Sequence, residues 1–117
     1  MTMQTKFKLC VVQFNSPSDA IEDNFARFVL KCEEAVKLKA DIVVFPEYLF
    51  QGDMSNHTHL ADDGSLIKRV CEVALRLKLD IVPGTIVEAV MENGYDEPRL
   101  LNTAYYVDGS TGKVLGR

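Results

Sequence analysis

Two amphipathic stripes, each set between two short β-rich runs, restrict this chain to a small set of folds. Ile21, Phe25, Phe28, Cys32 and Ala35 or Val36 recur at steps of four and three. Leu66, Val70, Val73 and Leu77 repeat the pattern, with Ile67, Cys71 and Ala74 beside them. That period belongs to helices burying one face. The flanking runs Lys8–Phe14, Ile42–Phe45 and Asp80–Val87 are apolar and rich in β-branched residues, which predicts strands. Strands alternating with helices should run parallel, and right-handed crossovers put both helices on one face of the sheet.

The strands carry a further constraint. They are apolar on both sides rather than alternating, the mark of a sheet buried on both faces. Two helices cover one face only, so the other needs a cover of its own. Ser18 or Asp19 is placed to cap the first helix, and Asp62-Asp63-Gly64-Ser65 the second, which should end near Leu79. Pro83-Gly84 interrupts the third strand and predicts a distortion with a close backbone approach. Glu92–Pro98 is a polar turn. Leu100–Val107 and Lys113–Leu115 should form a hairpin about Asp108–Gly112. The expected fold class is α/β, a mixed sheet with two helices on one face.

Chemistry concentrates in Asp41–Tyr48, Asp-Ile-Val-Val-Phe-Pro-Glu-Tyr. Pro46 ends the strand because it has no N–H to donate and holds Phe45 extended. Glu47 follows at once, which sets a carboxylate at the carboxyl end of a central strand, where open α/β sheets form their ligand crevices. A general base needs such fixed placement. The plain alternative is a solvated acid beyond a strand. Tyr48, next to Glu47, is a candidate substrate contact; Leu49 and Phe50 read as core.

Lys-Leu-Cys-Val-Val-Gln at Lys8–Gln13, Ala-Asp-Ile-Val-Val-Phe-Pro-Glu, Leu-Asn-Thr-Ala and Gly-Lys-Val-Leu-Gly-Arg occur in an order that resembles the carbon–nitrogen hydrolase (nitrilase) family. The resemblance covers nearly the whole chain. It implies half of an αββα sandwich, with residues 1–117 as the amino-terminal portion of a domain whose later half supplies the second sheet. It also implies a Glu, Lys and Cys that hydrolyse a small amide or nitrile, and Phe-Pro-Glu matches the motif carrying the Glu, here Glu47. The family's Lys lies just past a stretch like Val-Leu-Gly-Arg and its Cys in the later half, so neither is expected here. By the same resemblance Asn102 bonds near the active-site end; bonding to its own backbone is the equal alternative.

Other residues fit this chemistry poorly. Lys113 precedes the stretch that leads to the family's Lys. Cys10, Cys32 and Cys71 share no metal-type spacing and lie on apolar stretches, where a thiol is buried, reduced and inert. His57, His59, Asp62 and Asp63 could ligate a metal, but a polar loop of this kind is more simply solvated. Gly109–Lys113 ends in Gly-Lys, yet Val107 and Val114 occupy the positions where a phosphate loop needs Gly and a hydroxyl residue. No cofactor and no metal is expected.

A net charge of −4 without a basic cluster argues against nucleic acid as a partner. No apolar run approaches the about 20 residues of a membrane span, Met1–Thr5 reads as a frayed end, and the first ten residues lack a signal-peptide apolar core and cleavage site. The expected location is the cytoplasm, where the Asn56-His57-Thr58 sequon stays unmodified. The sequence therefore predicts part of a carbon–nitrogen hydrolase, inactive alone, with a bare sheet face for a second copy or the missing half. The alternative is a non-catalytic module that pairs through that face.

Overall fold

The computed structural model describes residues 6–55 and 57–117. The expectations for Met1–Thr5 and for the sequon residue Asn56 lie outside them. Among the described residues seven strands and two α-helices run in the order β1 (Leu9–Val11), α1 (Ile21–Lys37), β2 (Ile42–Val44), α2 (Ser65–Leu77), β3 (Asp80–Val82), β4 (Thr85–Val90), β5 (Arg99–Ala104), β6 (Tyr106–Val107) and β7 (Val114–Gly116), with one 3-10 turn at Thr58–Leu60 before α2. The main sheet has the order β1-β2-β3-β6-β7, and β4-β5 form a separate antiparallel ribbon. β1, β2 and β3 are parallel, whereas β6 and β7 join antiparallel, so the sheet is mixed.

Both stripes face a single core. Phe25, Phe28, Cys32 and Ala35 of α1 and Leu66, Val70, Val73 and Ala74 of α2 pack with Val43, Phe45, Ile81 and Val107. Val36 is exposed, so Ala35 continues the first stripe. Phe28 meets the rings of Phe25, Phe45 and Phe50 at centroid distances of 5.3, 4.9 and 5.0 Å. Leu49 and Phe50 are fully buried, as their apolar character predicts.

Among the described residues the opposite face is open at its β1 edge, while Ile42, Val44 and Val82 further in are half-buried. Leu9 is 57% and Val11 69% exposed, although their run reads as buried on both sides. Alternation decides this: Cys10 and Val12 turn toward the helices, so Leu9 and Val11 turn away from them.

Several expected boundaries are corrected. Asp80–Val87 is not one strand, because Pro83-Gly84 ends β3 and sends β4 into the ribbon. Leu100–Val107 also divides: β5 pairs with β4 along six residues, and only Tyr106–Val107 pairs with β7. The hairpin turn survives, tied by Asp108, whose carboxylate accepts the Ser110 N–H at 3.1 Å and the Thr111 hydroxyl at 2.7 Å. Neither Ser18 nor Asp19 caps α1; its cap residue is Ala20, with no side-chain bond. For α2 the expected acids do act, Asp62 accepting the Leu66 N–H at 2.9 Å and Asp63 the Ser65 N–H at 3.1 Å. α2 stops at Leu77, with Lys78 in the left-handed region at φ 52°.

Candidate functional site

Glu47 is positioned by two backbones that meet at the carboxyl ends of β2 and β3. Val44 and Val82 are register partners, and the Phe45 N–H donates to the Val82 carbonyl at 2.9 Å. Pro83-Gly84 therefore lies at the same end of the sheet as Pro46-Glu47. Gly84, at φ +66°, passes so close that a Cβ would stand 1.8 Å from the Pro46 carbonyl oxygen. A side chain at residue 84 is excluded, and the Pro46 backbone rests on bare glycine.

Tyr48 turns the chain sharply, at φ 56°, a conformation uncommon for a bulky residue. Its N–H donates to Thr85 Oγ1 at 3.0 Å, which ties the turn to the first residue of β4. The phenol is 38% exposed beside Glu47. Ser16 Oγ donates to the Leu49 carbonyl at 2.5 Å, and Asn24 Nδ2 donates to the Pro17 and Phe50 carbonyls at 3.0 and 2.9 Å. The loop after Glu47 is thus fastened to α1 on one side and to β4 on the other.

Asn102, on β5, donates its Nδ2 to Glu47 Oε1 at 2.7 Å. The amide thus bonds across 55 positions of chain and not to its own backbone, and its partner, Glu47, is one that neither reading of Asn102 named. Both side chains are exposed. Glu47 lines none of five clefts of about 320–560 Å³ around the described residues. One of these, of about 560 Å³, lies at the opposite end of the sheet among Asp41, Asp80 and Lys78. The carboxylate accordingly stands on an open ledge formed by β2, the Tyr48 turn and the ribbon.

The remaining candidates lie elsewhere. Cys32 is buried in α1, and burial pushes its thiol up to about 12. Burial also raises Cys71, while Cys10 is half-buried in β1. All three are unbridged. A thiol held protonated in an apolar setting is a poor nucleophile. Lys113 sits in the exposed turn before β7. His57 and His59 face one another with ring centroids 5.9 Å apart, while Asp62 and Asp63 bond the amides of α2. Among the described residues no three His, Cys, Asp or Glu side chains converge as a metal site, and no helix is long and apolar enough to cross a membrane.

Sequence reasoning missed two groups near the ledge. Thr85, the hydroxyl partner of the Tyr48 N–H, gave no signal beyond its place after Pro83-Gly84. Gln51 follows the apolar run Tyr48–Phe50 as a polar residue with no signal of burial, yet it is completely buried. Only a tertiary partner separates a buried amide from a loop amide.

Comparison with known proteins gives this geometry a context. Residues 8–117 match the family described as Carbon-nitrogen hydrolase. No curated protein matches the sequence significantly. An amidase from Nesterenkonia sp. superposes with a TM-score of 0.77 at 16% identity, over 94% of this chain and 41% of its own. A mutant of the amidase from Nesterenkonia sp. AN1 in complex with butyramide gives 0.76 at 17% identity, over 93% and 41%. Saccharomyces cerevisiae Nit3, a member of branch 10 of the nitrilase superfamily, gives 0.77 at 21% identity, over 94% and 42%. At these identities the likeness is one of fold, and the chain spans about two-fifths of the length of these proteins. The half-sandwich of a mixed sheet under two helices is theirs as well. With the family match running from Lys8 to Arg117, the chain belongs to the carbon–nitrogen hydrolase family.

Proposed function

We propose that this chain is the amino-terminal portion of a carbon–nitrogen hydrolase of amidase or nitrilase type, with Glu47 as its general base. The observation that carries the reading is the Asn102–Glu47 bond at the carboxyl end of β2 in a chain of this family. In the proposed chemistry, Glu47 takes the proton of a cysteine thiol and the sulfur attacks the carbon of a small amide or nitrile. A lysine stabilises the developing negative charge, ammonia or an amine leaves with the proton that Glu47 took (a nitrile first takes up one water), and a further water releases the acid from the thioester. Tyr48, half-exposed beside the acid, forms one wall against the substrate. The Lys and Cys belong to a later portion of the domain, so the 117-residue chain alone does not turn over. Its three unbridged thiols suit the reducing cytoplasm, the location we assign.

The test is an assay of the chain against simple amides and nitriles. No turnover is expected; activity that disappears in Glu47→Gln would overturn the inactivity of the chain. In a chain extended to include a lysine and a strand-end cysteine, Glu47→Gln should abolish hydrolysis. Retained hydrolysis there excludes Glu47 as the base.

A second reading is favoured by a separate observation, the exposure of Leu9 and Val11 on the uncovered sheet face. In it the chain is a non-catalytic module that pairs through this face with a second copy or a separately encoded half, since contiguous exposed apolar surface marks an interaction site. Size-exclusion chromatography and binding of an apolar dye separate the cases. A compact monomer that binds no dye would contradict an available face.

A further inference from the structure

Four residues beyond Glu47, the Gln51 side chain is fully buried and forms three hydrogen bonds. Nε2 donates to the Val87 carbonyl at 2.8 Å and to the Leu60 carbonyl at 3.1 Å. Oε1 accepts the Val87 N–H at 2.8 Å. Both amide donors are therefore used, together with one lone pair of the oxygen. Toward Val87 the side chain acts as a neighbouring strand would, by taking its N–H and supplying its C=O.

The consequence for Val87 concerns its other side. Its N–H and C=O both point toward Gln51, so neither points toward β5. Val87 and its register partner Asn102 then face one another as a pair without mutual hydrogen bonds. In antiparallel ribbons that is the closer kind of pair, with Cα atoms about 4.5 Å apart. The Asp62 N–H adds a second bond to the Val87 carbonyl, at 2.7 Å. Glu47, Gln51, Val87 and Asn102 thus form a closed ring: chain from Glu47 to Gln51, amide to Val87, strand pair to Asn102, and Asn102 back to Glu47.

We infer that Gln51 is a positioning residue for Glu47. Its buried amide sets the separation between the loop that carries the acid and the strand that carries Asn102. Two exposed side chains bonded only to each other exchange readily with water, whereas a buried amide with three partners does not move without leaving strand groups unpaired. The functional meaning of this rests on Glu47 as the base; the geometric coupling does not.

The experiment reads the Asn102 side-chain amide by nitrogen–proton NMR in the isotope-labelled full chain. In the wild-type background Glu47→Gln should shift the Asn102 amide resonances, since it changes their acceptor. In Gln51→Met and in Gln51→Asn most of that shift should be lost. Met leaves the Val87 N–H and the Leu60 carbonyl unpartnered and the Val87 carbonyl with Asp62 alone, and is the costlier change; Asn keeps the amide but draws it back by one methylene, and retains the fold if Met does not. Val73→Ala, in the core of α2 away from the ring, serves as the control and should preserve the full shift. A full shift in the Gln51→Asn chain, or an equal loss in Val73→Ala, would overturn the inference by reducing Gln51 to a stabilising core amide. This outcome is separate from the fate of Glu47 as a base, because a catalytically idle Glu47 would still report the coupling.

Discussion

Asn102 Nδ2 stands 2.7 Å from Glu47 Oε1 and joins the ribbon strand β5 to the residue that follows β2 and Pro46. Both partners are exposed, so the bond competes with water and contributes little to folding. Asn102→Ala should change the urea midpoint by the equivalent of less than about 1 kcal/mol. In a catalytically competent form it should lower kcat/KM by up to about 10²-fold, since small displacements of a catalytic group are costly. Chemical denaturation with parallel kinetics checks the contrast; a large stability loss would make Asn102 a structural residue.

Gly84 offers a sharper case. A methyl there would stand 1.8 Å from the Pro46 carbonyl oxygen, at a φ of +66°. Gly84→Ala should cost about 3 kcal/mol or more, from overpacking and strain together. Gly94→Ala is the comparison, because at φ +93° nothing lies within 4 Å and only backbone strain remains. Urea unfolding of both variants should show the larger loss at residue 84.

Glu88 is 8% exposed, and its Oε1 has no hydrogen-bond partner among the described residues. Burial raises its carboxyl above the ordinary range and Asp62 adds to this, while Arg117 opposes it. Folding therefore shifts the balance toward the neutral form relative to the unfolded chain. Its contribution to stability is full below the ordinary carboxylate range and is lost as pH rises through the raised value. Glu88→Gln should gain on wild type between about pH 4 and about pH 7, as the wild-type carboxyl ionises. Urea midpoints at the two pH values measure this, and a constant difference would contradict it.

Cys32 provides a chemical check on the core. With its thiol pushed up to about 12 and its side chain buried, it should resist alkylation at about pH 8 in the folded chain. It should react once urea unfolds the protein. Peptide mapping by mass spectrometry reads this directly, and labelling of the native chain would place Cys32 outside the core.

Much of the fold was legible because period and burial follow from side-chain chemistry. The stripe from Ile21 to Ala35 and that from Leu66 to Leu77 located both helices within a few residues. The β-branched run Ile42–Val44 located the central strand. Pro83-Gly84 was legible as a break but not as a change of sheet, because a proline reports a missing N–H and not where the next strand goes. Tyr105, between β5 and β6, carries no turn signal at all, so that division passed unseen. At the ledge, the octet pointed to Glu47, and a motif resemblance drew attention to Asn102 without naming its partner.

Local sequence determined the elements, the helix faces and the strand that ends on Pro46-Glu47, since each depends on neighbours within a turn or two. Tertiary structure alone decided that Asn102 meets Glu47, that Gly84 underlies Pro46 and that Gln51 is core. These contacts join residues about 35 to 55 positions apart, and a hydrogen bond or close approach depends on distances that only the packed sheet and ribbon establish.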